Sequence, residues 1–155
     1  MIEVIGNLWE YPADVRVITT NGTVKKNGEC VMGRGCAAEA KLRWPRFPKY
    51  LGDQIRHCGN VVLDCGIWPG DTARIYTFPV KHQWFEKANI ALIESSAREL
   101  VQQMDQMNRV GQNLNTIVLP RPGCGNGHLK WAEVKPVLAP ILDDRFHVIT
   151  FGGQR

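Results

Sequence analysis

An α/β fold, a sheet covered by helices on both faces, is the architecture the sequence predicts, and two observations predict it. Short runs such as Val15-Arg-Val-Ile-Thr19 and Thr116-Ile-Val-Leu119 are apolar enough to be buried strands. Between such runs lie stretches of good helix formers or of three-and-four apolar spacing, so strand and helix alternate along the chain.

Taken in order, Ile2 to Ile5 is a short strand stopped by Gly6-Asn7, and Val15 to Thr19 is a central strand that empties into the turn signal Asn21-Gly22. A polar connection, Thr23 to Glu29, leads to the glycine loop Cys30-Val-Met-Gly-Arg-Gly-Cys36. The run Ala37 to Arg43 after it is made of helix formers. Pro45 and Pro48 punctuate, and a short helix is expected from Tyr50 to His57. Val61–Ile67 and Ala73–Phe78 read as strands joined by the turn Pro69-Gly-Asp71. From Lys87 to about Asn108, apolar residues at Ile90, Ile93, Ala97, Leu100, Val101, Met104 and Met107 predict the longest helix, stopped by Gly111. A strand at 116–119, a second glycine loop, a helix from Ala132 to Leu142 and a last strand from Phe146 to Phe151 complete the chain. Pro136 falls in the first turns of that helix, and Pro140 should end or kink it.

Bulk properties narrow the classes. The 155 residues suit one domain with a full core. No apolar run approaches the roughly 18–20 residues that span a bilayer, and the N-terminus lacks a signal-peptide pattern. Five cysteines (30, 36, 58, 65, 124) include no CxxC pair, which argues against a disulfide framework or zinc site and fits a reducing cytoplasm. No carboxylate set has metal-ligand spacing, so neither metal nor cofactor is expected. The net charge of +4 favours anionic ligands but is too mild to diagnose nucleic-acid binding.

Chemistry concentrates in the two glycine loops. Pro120-Arg-Pro-Gly-Cys-Gly-Asn-Gly-His-Leu-Lys-Trp131 leaves the strand at 116–119 and opens a helix, with glycines alternating at 123, 125 and 127. Such a loop presents backbone N–H groups to an anion, usually a phosphate. Taken alone it is as well explained by a tight connection. The 30–36 loop also sits at a helix N-terminus, and in an α/β sheet both would lie with the Asn21 turn at the carboxyl ends of the strands.

Together, Gly6-Asn-Leu, Ala13 to Asn21, Met32-Gly-Arg-Gly-Cys-Ala37 and Pro120 to Val134 resemble the macrodomain family, from Gly6 to Phe151. The resemblance implies a three-layer α/β/α sandwich on a mixed, mostly parallel six-stranded sheet, spanning residues 1–155 as a single macrodomain that binds ADP-ribose. The Met-Gly-x-Gly motif with Thr77-Phe-Pro-Val-Lys-His-Gln-Trp84 is most similar to the branch holding terminal ADP-ribose glycohydrolases and DNA ADP-ribosyl glycohydrolase antitoxins. It implies ligand contacts at Asn7, Leu8, Asn21, Met32, Gly33, Arg34, Gly35 and Cys36. It adds Pro122, Gly123, Cys124, Gly125, Asn126, Gly127, His128 and Phe151, the last as the adenine face. Lys81, Asn21 and His128 are the implied catalytic set.

Residue chemistry is compatible with these roles. On spacing alone Lys81 reads as a surface charge, but an amine beside an apolar wall of Phe78, Trp84 and Phe85 would have a lowered pKa and could attack an anomeric carbon. The Asn21 amide both donates and accepts, which suits ribose hydroxyls. His128 is a candidate acid or base, or simply caps its loop. Family members commonly carry an acid at position 7, where this chain has Asn7, and some glycohydrolases have an aspartate where it has Asn126-Gly127. The second departure shifts the expected substrate from protein carboxylate towards a DNA base. Cys124 and the five tryptophans read as packing, although Trp84 is near enough to Lys81 to stack on a flipped base. Lys25, Lys26, Lys41, Arg43, Arg46 and Lys49 are either a solvated surface or a basic margin for single-stranded DNA. The expected protein is a cytoplasmic monomer that removes ADP-ribose from a macromolecule. The alternatives are an ADP-ribose 1″-phosphate phosphatase and a module that only binds the nucleotide.

Overall fold

The computed structural model describes residues 1–152. Ten elements follow in chain order: β1 (Ile2–Ile5), β2 (Val15–Asn21), α1 (Gly35–Arg43), α2 (Phe47–Cys58), β3 (Asp64–Ile67), β4 (Arg74–Lys81), α3 (Ile90–Arg109), β5 (Ile117–Pro120), α4 (Trp131–Leu138) and β6 (Phe146–Thr150). The strands form one six-stranded sheet in the order β1-β6-β5-β2-β4-β3. All neighbours are parallel except β3 and β4. This is the α/β fold that the strand and helix pattern predicts, on the mixed, mostly parallel six-stranded sheet that the family resemblance implies.

The strands are apolar because both faces are covered. Toward α3 and α4, Val17, Tyr76, Phe78 and Leu119 pack against Ile93, Ala97, Leu100, Met104, Val134 and Leu138. Toward α1 and α2, Ile18 and Ile75 meet Ala37, Ala40, Trp44, Phe47 and Leu51. The one charged residue buried within the central strand, Arg16, has a partner for each of its three side-chain nitrogens. Its guanidinium donates to both Asp71 carboxylate oxygens and to the carbonyls of Leu8 and Tyr11. That cluster pins the 7–14 loop to the sheet.

Several boundaries differ from the sequence expectation, each for a local reason. The second strand of the chain extends two residues beyond Thr19 to Asn21, and β4 runs three beyond Phe78 to Lys81. β3 begins at Asp64 rather than Val61: Leu63 O still accepts from Thr77 N–H, but Leu63 N–H donates to the Thr77 hydroxyl, and both backbone groups of Val62 are taken by side chains of α3, its N–H by Glu99 and its carbonyl by Gln103. α2 starts at Phe47, three residues before Tyr50, with Pro48 in its first turn. α3 starts at Ile90, not Lys87, because Asn89 is its N-cap and accepts from Leu92 N–H at 2.9 Å. α4 runs from Trp131 to Leu138 rather than from Ala132 to Leu142. Pro140 has no N–H with which to extend it. Pro136, its sixth residue, lies past the first turn, so Ala132 loses an intrahelical donor.

Candidate active site

Because β2, β4, β5 and β6 are parallel, their carboxyl ends share one edge of the sheet, and a cleft of about 1770 Å³ opens there. That exceeds the roughly 300–1,000 Å³ usual for small-molecule sites and leaves room for a dinucleotide-sized ligand with part of an attached group. Its walls are the 6–9 turn, the end of β2, the 33–37 loop with the start of α1, the 80–87 loop, the 123–131 loop and the end of β6.

The first glycine loop delivers the N-terminus of α1 to the cleft. Arg34 is its extended N-cap, without a side-chain cap, and no acidic residue sits in the first turn. The leading N–H groups, which lack intrahelical partners, and the positive end of the helix dipole therefore face the cleft, an arrangement that favours negative charge there. Gly35 has φ +61° and approaches Asn126 of the second loop so closely that a Cβ would lie 3.3 Å from the Asn126 amide nitrogen. The two loops thus meet across the cleft. In the second loop Gly123 has φ +75°, Leu129 N–H donates to Gly123 O, and His128 N–H donates to Gly125 O. His128 itself sits at φ +62°, exposed at the rim.

Lys81 closes β4 beneath this loop. Its Nζ donates to the carbonyl of Asn126 at 3.1 Å and more weakly to that of Trp84 at 3.4 Å. Partial burial, then the nearby Arg34 charge, holds its pKa below the usual lysine value. A neutral amine has two N–H donors and one lone pair, so both carbonyl bonds leave the lone pair available.

Residues 82–89 form a bridge between the walls. Gly22 N–H donates to His82 O, Trp84 N–H to the Thr23 hydroxyl, and Ala88 N–H to Gly127 O. Phe78 does not flank Lys81 as expected. It points to the opposite face of β4, with Tyr76 and Val80 in the core under α3.

The predicted contact set is mostly gathered here: Asn7, Leu8, Asn21, Gly33, Arg34, Gly35, Cys36, Gly123 to His128 and Phe151 all line the cleft. Met32 and Pro122 do not. Met32 packs with Ile18, Cys30 and Phe47 inside the core, and Pro122 is buried with its carbonyl accepting from the Cys124 thiol. Two amides are already partly engaged. Asn7 Oδ1 accepts from Trp9 N–H, while Asn21 accepts from Thr23 N–H and donates to Val31 O, each retaining further hydrogen-bonding capacity. Burial pushes the Cys36 and Cys124 thiols up, against a nucleophilic role for either. Among the described residues no cluster of three or more metal-ligating side chains occurs, and no helix is long and apolar enough to cross a membrane.

Sequence reasoning missed Thr23, whose hydroxyl accepts from Trp84 N–H at 2.9 Å and donates to Gln83 Oε1 at 2.7 Å. It also missed the two carbonyls that hold Lys81 and the wall residue Trp9. Apart from the Trp84 carbonyl, three residues from Lys81, these depend on contacts 45 to 61 residues apart or on side-chain direction in a loop, for which the sequence carries no signal.

No protein-family model matches the chain. It is 32% identical over 144 residues to the DNA ADP-ribosyl glycohydrolase of Thermus aquaticus, covering 89% of this chain and 36% of that protein. The chain thus spans about a third of the length of the curated relatives it matches. Among solved structures, the macrodomain of Thermus aquaticus DarG superposes with a TM-score of 0.75 at 27% identity, covering 97% of this chain and 96% of that one. Thermosipho africanus DarTG in complex with ADP-ribose gives 0.75 at 18% identity, covering 99% of this chain and 43% of that one, a likeness of fold. The sheet order, the cleft at its carboxyl edge and these likenesses agree: the chain belongs to the macrodomain family, close to its DarG branch.

Proposed function

We propose that this chain binds ADP-ribose in the carboxyl-edge cleft and hydrolyses its bond to a macromolecule, a DNA base in preference to a protein carboxylate. The observation that carries this reading is Lys81: a partly desolvated amine, aimed by the Asn126 and Trp84 carbonyls, in a cleft walled by the two glycine loops. The glycohydrolase activity in the names of its relatives and the ADP-ribose in the Thermosipho complex support it.

In this mechanism the pyrophosphate lies against the α1 N-terminus and the 123–128 N–H groups, and Asn21 holds the distal ribose by its remaining hydrogen-bonding capacity. The Lys81 lone pair forms a bond to C1″ as the bond from C1″ to the base nitrogen breaks. The base leaves with that electron pair and takes the proton shed by the amine. Water then adds at C1″, displaces the amine and gives free ADP-ribose. His128, exposed at the rim, serves as the proton carrier for the water step. The acid that some protein-directed relatives carry in the loop is here Asn126, which favours the nitrogen-linked base over the carboxylate ester.

The test compares ADP-ribose release from an ADP-ribosylated single-stranded oligonucleotide by the wild type and by Lys81→Ala. The reading expects free ADP-ribose and an intact base from the wild type, and loss of turnover with ADP-ribose binding kept in the variant. Undiminished turnover by Lys81→Ala would refute the mechanism. Turnover of ADP-ribose 1″-phosphate alone would make the protein a phosphatase.

A further inference from the structure

Trp84 and Phe85 are 51% and 69% exposed at the cleft wall beside Lys81, their rings 5.8 Å apart and edge to face. A contiguous exposed aromatic corner on a monomer is a mark of an interaction site. This one is also held in place. Thr23 fixes both Gln83 and Trp84, Gly22 N–H donates to His82 O, and Asn89 N–H donates back to Val80 O. The Lys81 amine donates to the carbonyl of Trp84 itself, so Trp84 lines the cleft within a few ångströms of the amine and of any C1″ brought to it. Besides the Lys81 amine, the cleft wall carries Lys25, Arg34, Lys87, Arg121 and Lys130 against Glu39 and Glu86, a balance that suits a polyanion. A flat, uncharged surface next to the scissile bond and a cationic surround match a nucleobase in a single strand, and not an aliphatic carboxylate in a peptide.

We propose that Trp84 is the platform on which the acceptor base of ADP-ribosylated single-stranded DNA stacks, with Thr23 as the residue that positions it. This rests on the ADP-ribosyl-DNA reading above. The test uses short single strands carrying one ADP-ribosylated base, in a pyrimidine and a purine version, bound to the chain in a Lys81→Ala background and compared with free ADP-ribose. The modified strand should bind more tightly than ADP-ribose. Trp84→Ala should weaken the strand about 5- to 150-fold and leave ADP-ribose affinity where it was, and Trp84→Phe should restore most of the loss.

Unchanged strand affinity in Trp84→Ala would overturn the proposal. So would an equal loss for a peptide carrying ADP-ribose on glutamate, which would make Trp84 a general wall. Failure of the free nucleotide to bind the chain with Trp84 intact would sink the underlying reading and the proposal with it, and that arm reports it separately.

Discussion

The second glycine loop separates into a glycine the fold needs and a glycine only a ligand needs, and two alanine substitutions tell them apart. At Gly127 a Cβ would lie 2.5 Å from Gly123 O and 2.7 Å from the Ala88 Cβ. Neither neighbour can withdraw cheaply, since Gly123 O accepts from Leu129 N–H and Ala88 N–H donates to Gly127 O. Overpacking of this kind costs about 1–3 kcal/mol. For a chain of this size that is a fall in Tm of about 2–12 °C. At Gly125 a Cβ would meet nothing within 4 Å, and its φ is not among the positive ones. Gly125→Ala should therefore stay within about 0.5 kcal/mol of the wild type. Gly125 lines the cleft, so the added methyl group should lower ADP-ribose affinity although stability does not drop. Thermal scanning beside ligand titration reads both. A Tm loss for Gly125→Ala equal to that of Gly127→Ala, or a silent Gly127→Ala, would refute this division of roles.

Three further outcomes are expected. The single-turnover rate should rise with pH through a Lys81 pKa lying below the ordinary lysine value and level off above it, as the neutral amine is the reactive form. Arg34→Gln, by removing one of the two causes of that lowering, should move the rising limb to higher pH. Arg16→Met should cost about 3–5 kcal/mol in urea unfolding, because it strands Asp71 and the Leu8 and Tyr11 carbonyls. Burial pushes the Asp71 carboxyl up, but Arg16 and the Ala73 and Thr72 N–H groups outweigh it and leave the pKa below the usual value. That contribution to stability is present above the unfolded aspartate pKa and is lost as pH falls through the lowered one. Acid titration of stability should show it, and show it reduced in Arg16→Met, where only the Ala73 and Thr72 N–H groups still lower the pKa. Asn89→Ala should cost about 1 kcal/mol by uncapping α3, measurable by the same unfolding.

The strands and the long helix were legible because their cause is local. Val15, Val17 and Ile18 are fully buried, and so are Ile93, Ala97, Leu100 and Met104 at the spacing read from the sequence. What was not legible depends on distant partners. The start of β3 is decided by Glu99 and Gln103 on α3, and no pattern within 61–67 carries that. Loop residues have no period from which to read direction: of the contacts the resemblance implies, Met32 packs in the core and Pro122 is buried, and neither lines the cleft. Phe78 is the same error on a strand: alternation places it opposite Lys81, a consequence the period-two rule contains. The bonds that Asn7 and Asn21 make within their own turns show that an amide suited to a ligand is first used by the backbone beside it.

The central claim is that two glycine loops meeting at Gly35 and Asn126 build an ADP-ribose site over Lys81. Calorimetric titration with ADP-ribose tests it most directly, on the wild type, Lys81→Ala and Gly125→Glu. The account predicts saturable binding by the wild type, retained in Lys81→Ala and lost in Gly125→Glu, whose carboxylate would enter the anion site. Absence of binding by the wild type up to about 1 mM ligand, equivalent to less than about 4 kcal/mol of affinity, would contradict it.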